Sequence, residues 1–276
     1  MESNIEILGR KVFFIAPTDA LIPESYVEDF LTHGYEPYII ADDGVCPLKK
    51  KIEAIARLFP GSILFFNIDA AVESIGDWKS YIADFRAQHR EQVLIGVLHR
   101  KGDAEQDEAL RDFYVEHLHL SCGFIALQAK QLADVDAIKE VLEEYEARGR
   151  RQFVRATMDE QSRFTGAYNG KKIDARVLDV NIRHFACLMG QNITDLKIFD
   201  KVRGASLRLS GLEFTSDAVL LMKRTKGDET LYVFMFITPP QDIPELPAET
   251  KQKLNHKIYQ VVSDGTLTKL RDAFRA

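Results

Sequence analysis

Five short apolar runs punctuate the first half of this chain: Val12–Ile15, Pro37–Ile40, Ser62–Ile68, Gln92–Leu98 and Cys122–Leu127. They are largely free of polar alternation, the signature of strands buried on both faces of a parallel sheet. Between them lie Pro23–Thr32, Pro47–Phe59, Asp77–Gln88 and Asp107–His117, and Asp134–Arg148 follows the last run. Apolar residues there recur at three- and four-residue spacing, as in Ile52, Ile55, Ala56 and Phe59, so each stretch reads as an amphipathic helix. Five strands alternating with five helices predict a doubly wound (βα)5 sheet with right-handed crossovers.

Past Arg155 the period shortens. Phe164–Tyr168, Ile173–Val180, Phe185–Met189, Ala205–Leu209, Ala218–Arg224 and Leu231–Thr238 read as strands. Asn169-Gly170, Arg203-Gly204, Ser210-Gly211 and Lys226-Gly227-Asp228 read as turns between several of them. Six closely spaced strands predict a small antiparallel β-barrel. The proline-rich stretch from Pro239-Pro240 to Pro247 ends the sheet. Glu249–Val262, with Leu254, Ile258, Val261 and Val262 on one face, then reads as a closing helix. The fold class expected is α/β plus β, in two domains, 1–146 and 147–276.

Charge divides at the same place. Residues 1–146 carry 14 Lys and Arg against 27 Asp and Glu, whereas residues 147–276 carry 22 against 15. The basic half is the candidate for an anionic ligand, and Arg148, Arg150, Arg151 and Arg155 cluster where it opens. The cysteines Cys46, Cys122 and Cys187 are scattered, without metal-ligand spacing. Met1–Lys11 lacks the apolar segment of a signal peptide, and no apolar run approaches membrane-span length, so a cytoplasmic protein without membrane insertion is expected. No nucleophile–base pair, metal constellation or glycine-rich phosphate loop appears at usable spacing, so no enzyme, metal or cofactor is expected. His89, His99, His117 and His119 read as solvated or singly hydrogen-bonded side chains.

The first half resembles a response-regulator receiver domain in its pattern of elements. The receiver family has an acidic pair after the first strand and a phospho-accepting Asp after the third. Here the first strand is followed by Ala16-Pro17-Thr18-Asp19, and Asn67 stands where the acceptor belongs, with Asp69 two residues late. The fourth strand ends in His99 rather than a hydroxyl residue. Lys130 fits the family's lysine, while Gln131 replaces its proline. The resemblance implies a receiver-like interaction domain that is phosphorylation-incompetent.

The second half, over about residues 147–262, resembles the PilZ family. Arg151-Gln152-Phe153-Val154-Arg155 is similar to the RxxxR motif that opens PilZ domains, with Arg150 as the additional arginine. Asp179-Val180-Asn181-Ile182-Arg183-His184 stands where the family has [D/N]xSxxG: Asp179 agrees, Asn181 replaces serine and His184 replaces glycine. Phe236 fits a phenylalanine common at the end of the last strand. The resemblance implies a cyclic di-GMP receptor whose site residues are Arg150, Arg151, Arg155, Asp179, Asn181 and His184. It also implies a protein partner, in this family often motility or envelope machinery. An arginine fork suits phosphate and the guanine O6/N7 edge, and Asp179 suits the guanine N1 and N2 hydrogens. Asn181 keeps a side-chain acceptor, whereas His184 brings a side chain and backbone strain where glycine would let the ligand approach.

Three further readings stand beside this one. The arginines can be a solvated helix face paired with Glu143, Glu144 and Glu146. The barrel can be a divergent interaction module that has lost the ligand. A nucleic-acid patch is disfavoured by thin aromatic interleaving and an acidic chain.

Overall fold

The computed structural model describes residues 9–43, 46–129, 131–150, 152–189, 195–226 and 229–275. The chain divides into two compact units, Met1–Gln152 with Leu267–Ala276, and Phe153–Thr266.

The first unit holds strands β1 (Lys11–Ile15), β2 (Glu36–Ile40), β3 (Ile63–Asn67), β4 (Leu94–Arg100) and β5 (Phe124–Leu127). All pair in parallel, in the order β2-β1-β3-β4-β5. This is the doubly wound order of receiver-type sheets, in which the crevice for a ligand opens at the carboxyl ends of β1 and β3. Every residue of β3 is buried, as its unbroken apolar run requires. The helices are α1 (Glu24–Thr32), α2 (Leu48–Leu58), α3 (Trp78–His89), α4 (Ala104–Arg111) and α5 (Leu132–Glu144), with a π-helical turn Asp112–His117 continuing α4. Helix α2 buries Ile52, Ile55 and Ala56 on one stripe. Helix α4 starts ahead of the Asp107 that apolar spacing suggested, because the Asp103 carboxylate caps it by accepting from Gln106 N at 2.9 Å. It buries no residue at all, so its periodicity carries little signal.

The second unit holds β6 (Ala156–Thr157), β7 (Arg163–Tyr168), β8 (Lys171–Val180), β9 (His184–Met189), β10 (Lys201–Leu209), β11 (Leu212–Lys226) and β12 (Glu229–Ile237). The antiparallel order is β8-β7-β10-β11-β12-β9, and a further β8–β9 pairing closes the ring into a six-stranded barrel. The short β6 lies against β8 outside that ring. Asn169-Gly170 turns β7 into β8 with φ of 48° and 75°, and Ser210-Gly211 turns β10 into β11 with 46° and 88°. Two successive positive φ values match the right-handed twist of hairpin strands. Arg203-Gly204, read from sequence as a turn, is instead a bulge inside β10: the register with β11 shifts between Val202 and Ala205, with Gly204 at φ 57°.

Phe164, Phe185, Phe234 and Phe236 form the centre of the barrel, their rings 4.9–5.3 Å apart. Helix α6 (Ala248–Arg275) contributes Leu254 and Ile258 to this core. It extends well beyond Val262, where the sequence pattern weakened. A single glycine, Gly265, costs a helix only about 1 kcal/mol, and Thr266 and Leu270 beyond it are buried. All three cysteines are buried free thiols, and burial pushes Cys122 up to about 12.

Candidate ligand-binding site

The candidate site lies where β6 meets the β8–β9 turn. Ala156 is fully buried and pairs with Val180, which forces Thr157 opposite Asp179. Met158 N donates to Leu178 O at 2.8 Å, extending the contact. Phe153 and Val154, just upstream, pack half-buried against the barrel core. The intervening Arg155 turns outward, and its Nη1 lies 3.4 Å from Asp179 Oδ1. A two-residue strand thus brings together two motifs that are far apart in sequence. Both side chains are substantially exposed, so this ion pair contributes at most about 1 kcal/mol and can be exchanged for a stronger anion.

Beyond Val180 the chain reverses through Asn181-Ile182-Arg183-His184. Asn181 is buried, and its Oδ1 accepts from Arg183 N at 2.8 Å and His184 N at 2.7 Å. Its own N–H donates to His184 O at 2.8 Å. An Asn side chain that satisfies its own turn in this way substitutes for main-chain pairing and fixes the loop. The expected acceptor oxygen is therefore engaged within the protein.

His184 opens β9, paired with Met235 of β12. It is not among the residues with positive φ, so the strain anticipated from replacing glycine does not arise. Burial lowers its pKa below the ordinary histidine value, and the positive charges of Arg155 and Arg183 lower it further. The imidazole is consequently neutral near pH 7.

Arg183 lies at the candidate site, where sequence reasoning did not single it out. Its guanidinium lies 5.5 Å from the centroid of the Phe153 ring, and its carbonyl accepts from Phe236 N at 2.9 Å. The motif leaves this position free, so only its place in the turn, next to a histidine where glycine was expected, could have drawn attention. Phe236 is wholly buried, with its ring in the core, so its part at the site is played by its main chain.

Of the other candidate residues, Arg151 and Lys130 lie outside the described residues. Arg150 belongs to the first unit, where it lines a cavity of about 530 Å³ with Tyr35, Glu143, Glu146 and Arg148. Among the described residues no group of three or more His, Cys, Asp or Glu could hold a metal ion. No helix described is long and apolar enough to cross a membrane.

At the carboxyl ends of β1 and β3, Asn67 is buried and its Nδ2 donates to Ala16 O at 2.8 Å. Asp69 has both oxygens committed, one to His99 Nδ1 and the other to Arg100 N, each at 2.6 Å. His99 Nε2 in turn faces Asp107 Oδ1 at 3.5 Å.

No protein-family model matches the sequence, and no match is found among curated proteins. Solved structures do show similar chains. The PilZ domain of YcgR from Escherichia coli with c-di-GMP is 14% identical at a TM-score of 0.35, covering 43% of this chain and 96% of that domain. YcgR from the same organism in complex with c-di-GMP is 12% identical at 0.37, covering 43% of this chain and 49% of that one. The Bacillus subtilis inhibitor of motility MotI is 14% identical at 0.33, covering 40% and 50%. The match thus spans about half the length of YcgR and of MotI. At these identities and TM-scores the geometry of the barrel itself has to carry any functional reading.

Proposed function

We propose that the C-terminal barrel is a PilZ-type receptor for cyclic di-GMP, and that the chain is a non-catalytic effector. The observation that carries the reading is the β6–β8 ladder: it sets Arg155 of the first motif against Asp179 of the second, with His184 and Arg183 beside them. Arg155 and Arg183 supply guanidinium groups and Asp179 a carboxylate acceptor, the chemistry that a guanine-bearing dianion requires. In the bound state Arg155, with Arg150 and Arg151 of the same motif, holds phosphate. Asp179 then accepts from guanine N1 and N2 hydrogens. Asn181 acts by fixing the turn, and His184 offers a flat face to a base.

The ligand's message passes on through a change in the arrangement of the two domains, 1–146 and 147–276, and so to a protein partner. Such a change requires that the ligand bind the two arrangements with different affinity, which arginines at a domain junction can provide. The resemblance suggests motility or envelope machinery as the partner class. The expectation that nucleic acid is not a partner rests on composition alone. The first domain serves as a docking platform rather than a phosphorylated switch, since Asp69 is tied to His99.

A second reading is favoured by one observation. The Asn181 oxygen is consumed in its own turn and His184 stands beside it, as in a barrel whose binding turn has become structural. In that case the chain is a divergent interaction module. Calorimetric titration of the full chain with cyclic di-GMP separates the two: saturable binding that Arg155→Ala removes supports the receptor, and no binding supports the module.

A further inference from the structure

Resting on the receptor reading, we propose that Arg183 is the guanine-reading residue of this site, the side chain that makes it prefer guanine to adenine cyclic dinucleotides. Three contacts hold it at the tip of the β8–β9 turn. Its N–H donates to Asn181 Oδ1 at 2.8 Å, its carbonyl accepts from Phe236 N at 2.9 Å, and its guanidinium lies over Phe153 at 5.5 Å. Phe153 is itself packed against the barrel core, so the platform beneath the guanidinium is fixed.

An arginine normally surrenders considerable rotamer freedom when it binds. One that is stacked in advance surrenders less, which favours the bound state. A cation–π contact consumes none of the guanidinium N–H donors. Among the described residues no carboxylate pairs with Arg183, whereas Arg155 already has Asp179. Both cations lie near enough to His184 to lower its proton affinity, after the larger effect of burial. The division of labour follows: Arg155, exchangeable and near a carboxylate, serves phosphate, and Arg183, fixed on an aromatic ring, serves a base edge.

Guanine presents two acceptors, O6 and N7, to such a fork, whereas adenine presents a donor at N6 beside N7. A donor facing the guanidinium N–H groups is repelled, so the same residue that binds guanine rejects adenine. Lysine in its place keeps the charge and loses the fork.

The test titrates the full chain with cyclic di-GMP and with cyclic di-AMP, for the unmodified protein, Arg183→Lys, Arg183→Ala, Phe153→Leu and Arg155→Ala. The unmodified chain is expected to prefer cyclic di-GMP. Arg183→Lys should weaken cyclic di-GMP binding about tenfold or more, the worth of a bidentate arginine–guanine pair, while cyclic di-AMP binding stays within about threefold. Phe153→Leu, which retains apolar volume but not the ring, should erode the same preference in part. Unchanged melting temperatures for Arg183→Lys exclude a folding defect as the cause. If cyclic di-GMP binds, Arg155→Ala abolishes it and both Arg183 variants retain full affinity and preference, the receptor reading survives and the role of Arg183 is overturned. If the unmodified chain binds no cyclic di-GMP, both are overturned together.

Discussion

Replacing Asn181 by alanine removes one oxygen that serves two main-chain donors. That oxygen accepts from Arg183 N at 2.8 Å and His184 N at 2.7 Å, and the side chain is only 6% exposed. A typical hydrogen bond adds about 1 kcal/mol net, and a buried donor left unpaired costs about 1–3 kcal/mol. Arg183 and His184 are only partly buried, so water reaches the orphaned N–H groups in some measure, and the expected loss is about 2 kcal/mol. Asn181→Asp keeps the oxygen in place and should retain most of the stability. Asn181→Ser, whose hydroxyl is one bond shorter, should lie between. Urea denaturation of the full chain followed by circular dichroism measures the barrel transition, and hydrogen exchange of the Arg183 and His184 amides measures the turn. Both amides should exchange faster in Asn181→Ala and remain protected in Asn181→Asp. An unchanged midpoint together with unchanged exchange in Asn181→Ala would refute the reasoning that the side chain closes this turn.

Three other outcomes are expected. Arg155→Ala should leave barrel stability within about 1 kcal/mol, because its ion pair with Asp179 is long and partly exposed; thermal denaturation without ligand checks this. The His184 pKa lies below the ordinary value in the folded chain, so its contribution to stability is full above the unfolded value near 6.5 and is lost as pH falls through the folded value. A dianion bound beside it should raise that pKa and draw in a proton, so cyclic di-GMP affinity should increase on acidification from about pH 7.5 to 5.5. The increase should vanish in His184→Asn, as calorimetry across that range would reveal. Finally, Arg176, Arg163 and Arg208 stand directly opposite one another on β8, β7 and β10. Arg176→Glu should therefore stabilise the barrel by about 0.5 kcal/mol at low salt and by less at high salt, measured by urea denaturation.

The fold was written in the hydrophobic period. The unbroken run Ser62–Ile68 became the fully buried β3, and Asn169-Gly170 and Ser210-Gly211 became hairpin turns, because glycine beside Asn or Ser is what positive φ demands. Arg203-Gly204 carried the same local signal, yet strand pairing on both sides of it converted a turn into a bulge. Helix α4 and the distal part of α6 were blurred because α4 buries no residue and because Gly265 interrupts the pattern. Strand β6 has two residues, too few for any period, although it is the element that assembles the site. Arg155 and Asp179 were picked out by motifs, and the structure places them 3.4 Å apart. The engagement of the Asn181 oxygen, the relaxed backbone of His184 and the seating of Arg183 on Phe153 were not, since each depends on a turn geometry that only the closed barrel fixes.

The most direct test of the central claim is a calorimetric titration of the full chain with cyclic di-GMP beside Arg155→Ala. The account predicts saturable binding by the unmodified chain, accompanied by a rise in melting temperature, and loss of both in Arg155→Ala. No heat and no thermal shift from the unmodified chain, or full binding by Arg155→Ala, would contradict it.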